Sequence, residues 1–102
     1  MTGVEHTVVE LIARFALRRH ASSAEFTAGV WLVSAGAVRL RRVSARMLQA
    51  SVRDGTTQAV SIVAEGERLV GECSCGSAPG EICRHQVAAA HAAWLALANT
   101  DP

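Results

Sequence analysis

Apolar side chains at Val4, Val8, Leu11, Ile12 and Phe15 recur at helical spacing, with Glu5, Glu10, Arg14 and Arg18 off that stripe. This pattern predicts an amphipathic helix over 4–19. Ser22 followed by Glu25 forms a capping-box signature, so a second helix is expected from near Ala24. It would carry Phe26, Val30 and Val33 on one face and end around Gly36, where a left-handed cap fits. The period then changes. Residues 38–43, 46–53, 57–64 and 68–73 are rich in Val, Leu and Ile and partly alternate in polarity, with Asp54-Gly55 and Glu65-Gly66 between them. Consecutive antiparallel strands joined by hairpins follow from that pattern. The alternation breaks at Arg41-Arg42, where a bulge or a sheet end is expected. A third helix is expected from near Ile82 to Ala98. The fold class is therefore α+β: two N-terminal helices, a small antiparallel sheet of about four strands, a knuckle and a C-terminal helix.

Composition narrows the function classes. At 102 residues and 10.7 kDa, half of them apolar and 19% charged, the chain suits one core-forming domain over 1–102, with a helical lead-in over 1–36. A formal charge of +1 excludes a polybasic or acidic tail as the working element. All ten cations are Arg. Lysine Schiff-base chemistry and the lysine-ended phosphate loop are thereby removed. The longest charge-free stretches, Phe26–Val38 and His85–Thr100, fall short of the roughly 20 apolar residues that span a membrane. The opening MTGVEHTVVE lacks the basic and apolar regions of a secretion signal, so the expected compartment is the cytoplasm. Three cysteines in such a compartment point to metal or reactive-thiol chemistry before disulfides.

Every cysteine falls within eleven residues, as Cys73-Ser74-Cys75 and Cys83-Arg84-His85, spaced C-x-C-x7-C-x-H with Gly76, Pro79 and Gly80 between the pairs. Taken singly, each cysteine could be a small buried hydrophobe and His85 a helix histidine bonded to its surroundings. Taken together they make a zinc ligand set, three thiolates and one imidazole, with one pair at a strand end and the other in the first turn of a helix. Four protein ligands leave no position open for water, so one structural zinc per chain is expected. The second ring nitrogen of His85 needs an acceptor that the sequence does not identify.

The arrangement resembles the SWIM zinc fingers, whose signature is C-x-C, a variable loop, then C-x-H followed by a helix of small residues. Cys73, Cys75, Cys83 and His85 fill those positions, the helix continues Gln86-Val87-Ala88, and Leu69-Val70-Gly71-Glu72 is similar to the lead-in strand. The resemblance covers about residues 37–97, within a zinc-binding sheet-plus-helix portion over 37–100. It implies DNA or protein binding, because SWIM modules occur in Swi/Snf-type ATPases, Mutator-type transposases, signalling kinases and recombination factors.

Two uses compete. Residues 85–100 carry no formal charge, and Val87, His91, Trp94 and Leu95 form one stripe with alanines around the other sides. A helix apolar all round must be buried on more than one face, by the N-terminal helices or by a protein partner or second copy. The expected function is a small accessory or adaptor subunit in protein–protein interaction. The alternative is nucleic-acid binding through Arg39, Arg41, Arg42, Arg46 and Arg53, with Arg84 joining from the zinc site. Against it, Asp54, Glu65, Glu67 and Glu72 follow, and only four aromatic residues are available for base stacking. His91 reads as a half-buried histidine bonded to backbone before it reads as a pH-sensitive contact, and His6 and His20 as surface residues. No catalytic constellation assembles, so the chain is read as a non-enzyme with no small-molecule substrate and no membrane partner. A redox or zinc sensor at the thiolates is the remaining alternative.

Overall fold

The computed structural model describes residues 21–65, 68–76 and 82–98. Its elements are α1 (Ser23–Ser34), β1 (Val38–Val43), β2 (Met47–Asp54), β3 (Thr56–Glu65), β4 (Arg68–Cys73) and α2 (Arg84–Ala98). Among the described residues one helix precedes the sheet and one follows it. The further helix expected over 4–19 lies outside them.

Ser22 opens α1 as expected, its hydroxyl accepting the Glu25 N–H at 3.1 Å. The helix closes in a Schellman turn. Gly36 N–H reaches Val33 O and Ala37 N–H reaches Leu32 O, both at 3.0 Å, with Gly36 at φ +74°. The expected stripe of Phe26, Val30 and Val33 is only half-buried. Gly29 and Leu32 are the residues α1 buries. α2 packs tightly on Gly29, where a Cβ would lie 2.6 Å from Val87 Cβ and 2.8 Å from the Arg84 carbonyl oxygen.

The strands form one antiparallel sheet in the order β1-β2-β3-β4. Alternation in β2 and β3 assigns the faces: Leu48, Ala50, Val52, Val60, Ile62 and Ala64 are buried, and their sequence neighbours are more exposed. Register pairs Leu48 with Ile62 and Ala50 with Val60 across the buried face. Ala88, Ala89, Ala90 and Ala93 of α2 and Leu32 of α1 join these side chains in one buried cluster. Methyl side chains let the helix axis approach the sheet closely, and burying the branched side chains opposite supplies the main driving force.

The break at Arg41-Arg42 is a bulge. Leu40 pairs with Ala50 and Arg42 with Gln49, leaving Arg41 as the extra residue. One added residue resets the alternation, so Leu40 and Val43 keep the register of the buried face while both arginines go to the outer one.

α2 begins at Arg84, two residues after the expected start near Ile82. Cys83 stands at its head and its carbonyl accepts the Val87 N–H at 3.1 Å. No helix among the described residues is long and apolar enough to cross a membrane.

Candidate metal centre

Three elements bring the ligands together. β4 ends on Cys73, a turn places Cys75 just beyond it, and Cys83 and His85 flank the first residue of α2. The turn is pinned to β3 through Ser74. Its backbone N–H reaches Ala59 O at 3.0 Å, its hydroxyl accepts the Ala59 N–H at 2.9 Å, and it donates to Gln58 Oε1 at 2.7 Å. Gly76 at φ +84° then lets the chain leave the site.

The four ligand atoms, the sulfurs of Cys73, Cys75 and Cys83 and one nitrogen of His85, lie within 4.8 Å of one another. Nδ1 of His85 is 3.5 Å from Cys73 Sγ and 3.9 Å from Cys83 Sγ. A zinc tetrahedron with bonds of about 2.3 Å to sulfur and 2.0–2.1 Å to nitrogen has S···N edges of about 3.6 Å. The residues therefore fit such an ion. Cys83 and His85 are buried, Cys73 is half-buried and Cys75 is exposed.

Burial pushes the Cys73 thiol up to about 12, and the neighbouring Cys83 adds to the rise. At that value the thiol holds its proton at neutral pH, so a divalent cation must displace it to bind.

His85 Nε2 faces away from the sulfurs and stands 2.9 Å from Asp54 Oδ2. Asp54 ends β2 in register with Leu48, Ala50 and Val52, so it leaves the sheet on the helix-bearing side. The sequence presents Asp54-Gly55 only as a hairpin signal, which Gly55 satisfies at φ +78°. Neither its pairing with His85 nor the Ser74 anchor carries a sequence signature.

Arg84 is tied down. Its guanidinium reaches Glu25 at 3.0 and 3.3 Å, and its backbone N–H donates to Glu25 Oε1 at 2.9 Å. The bonds from Arg84 hold the Glu25 carboxyl below its usual range. Of the arginines expected to share a basic surface, Arg39, Arg41, Arg42 and Arg53 are exposed, the Arg41 side chain donating to Ser51 Oγ at 2.9 Å, and Arg46 is exposed in the β1–β2 turn. Of the apolar stripe expected at an interface, Val87 is fully buried against α1 and His91 is half-buried, while Trp94 and Leu95 keep 44% and 38% of their surface. Val87 therefore belongs to the core and the exposed part of the stripe begins beyond it. Trp31 on α1 is also exposed, at 66%.

Set against protein-family models, curated proteins and solved structures, the chain gives no significant match.

Proposed function

We propose that this chain is a small accessory module of the SWIM type, in which Cys73, Cys75, Cys83 and His85 hold one structural zinc ion. The observation that carries this reading is the convergence of three sulfurs and an imidazole nitrogen within 4.8 Å, from a strand end, a turn and a helix start. Three thiolates and a histidine match zinc in softness and number, and a site closed by four protein ligands supports a structural role over a catalytic one. The metal would clamp the end of β4 to the start of α2, and no reaction step is assigned to the module. It acts by contact. Trp94 and Leu95, exposed on α2, support a protein partner or a second copy meeting that helix. Thiols kept available for metal go with a reducing compartment such as the cytoplasm.

Native mass spectrometry of untagged protein purified without chelator tests both halves. One zinc per chain is the expected result, and a zinc-bearing dimer would identify the partner as a second copy. Metal-free protein with all three thiols free would overturn the reading.

One observation favours a second use. Strand alternation at Arg39 and the bulge at Arg41-Arg42 put all three arginines on the outer face of the sheet, beside Arg53 and with Gln49 and Ser51 between them. Planar guanidinium groups on an open polar face suit the phosphates of a nucleic acid. Glu72, pairing with Ser61 on the far side of the same sheet, bounds that surface.

A further inference from the structure

Imidazole offers a metal two nitrogens, and a C-x-H spacing does not say which one binds. In this fold the choice falls to a residue far away in sequence. We propose that Asp54 is a positioning residue of the metal centre: its carboxylate accepts the Nε2–H of His85 and so commits Nδ1 to the zinc. The inference rests on the Cys3His reading above and extends it to the residue that orients the histidine.

Three observations carry it. Nε2 lies 2.9 Å from Asp54 Oδ2, whereas Nδ1 is the nitrogen 3.5 Å and 3.9 Å from the sulfurs of Cys73 and Cys83. A carboxylate accepts and does not donate, so Asp54 holds a ring hydrogen on Nε2 and leaves Nδ1 as the nitrogen facing the sulfurs. His85 is buried in the first turn of α2. The Asp54 carboxylate holds the ring by its other nitrogen and raises the basicity of the nitrogen left to the metal. Asp54 also closes β2, so the contact ties the β2–β3 hairpin to a site otherwise built by β4 and α2. The Asp-Gly turn thus has two functions, one in the hairpin and one at the metal.

The test uses the full chain, zinc competition against a chromophoric chelator, and ¹⁵N NMR of the His85 ring in zinc-loaded protein. Wild type should show a single form, Nδ1 bound and Nε2 protonated. Asp54→Ala should weaken zinc by about 10- to 100-fold, as loss of such partners does elsewhere, and give a second ring form bound through Nε2. Asp54→Asn keeps an oxygen acceptor and should recover most of the affinity and the single form. Wild-type affinity with one Nδ1-bound form in Asp54→Ala would overturn the proposal while leaving the Cys3His site standing. Nε2 binding in wild type would overturn it without recourse to any variant, including one that fails to fold. Wild-type protein that takes up no zinc would remove the site itself, and the inference with it.

Discussion

The carboxylate of Glu25 on α1 caps α2: one oxygen accepts the backbone N–H of Arg84 at 2.9 Å, and the other meets its guanidinium at 3.0 Å. The first N–H groups of a helix have no partner within it, and here another helix supplies one. The same contact fixes the residue between two candidate metal ligands, Cys83 and His85, so α1 is coupled to that cluster.

Glu25→Ala should therefore lower stability by about 1 kcal/mol, the usual cost of losing a helix cap. The part-exposed ion pair adds little to that. In thermal unfolding this corresponds to about 4–8 °C for a domain of this size. Arg84 holds the Glu25 carboxyl below its ordinary range, so the folded state keeps it charged more readily than the unfolded chain does. Its contribution is complete above the ordinary carboxylate range and is lost as pH falls below it. Wild type and Glu25→Ala should converge in stability in acid and separate near neutrality, read from melts across pH.

Gly29→Ala tests how closely the helices approach. Alanine favours a helix over glycine by about 1 kcal/mol, so an exposed site would gain stability. Here the added methyl would lie 2.6 Å from Val87 Cβ and 2.8 Å from the Arg84 carbonyl. Backbone on one side and a fully buried side chain on the other leave no easy relief, and a net loss of about 1–3 kcal/mol is expected. Val87→Ala in the same chain keeps the Cβ but removes the nearest atom, Val87 Cγ1 at 2.5 Å, and should recover a part of it, giving a favourable coupling in a double-mutant cycle.

Local signals made the sheet, the bulge and the ligand set legible. Period-two burial in β2 and β3, an Asp-Gly turn, and four ligand residues in two tight pairs are each encoded within a few neighbours. What stayed hidden joins distant positions. Asp54 and His85 are 31 residues apart, and Glu25 and Arg84 are 59 apart. The capping box predicted a carboxylate folding back on its own helix, but only the Ser22 half forms, because the start of α2 offers Glu25 an N–H and a guanidinium together. Gly29 carried no hydrophobic signal although α2 packs directly against it. The same closeness explains why Val87 left the expected interface for the core.

Zinc affinity should rise with pH. Burial holds the Cys73 thiol near 12 in the metal-free protein, so binding at neutral pH releases a proton from it. Each proton released steepens the apparent affinity by about tenfold per pH unit. Chelator competition between pH 6 and 8 should show at least that slope, and a flat profile would mean that no protonated thiol is a ligand. Stripping the metal should also loosen the start of α2 and the Cys73–Cys75 turn ahead of β2 and β3, whose core side chains do not touch the ion. Hydrogen exchange that collapses uniformly would contradict that order.

The outer face of the sheet and the exposed end of α2 separate the two uses by different variants. Arg39, Arg41 and Arg42 are exposed, and only Arg41 has a side-chain hydrogen bond to lose, to Ser51. Replacing all three with alanine should change stability by no more than about 0.5 kcal/mol per site. If the sheet binds duplex DNA through these three and Arg53, about four phosphate contacts give a log–log salt slope near −3.6, and the triple variant should flatten it to about −0.9. Trp94→Glu, on the opposite side of the molecule, should leave that slope unchanged. If α2 is instead the working surface, the pattern reverses: Trp94→Glu abolishes partner binding or dimer formation, because a charge replaces an apolar anchor, and the arginine variant binds as wild type does. Fluorescence anisotropy with labelled duplex across a salt series, beside sedimentation of the zinc-loaded protein, reads both arms on the same three samples. An unaltered result in every arm would mean that neither surface is the one the module uses.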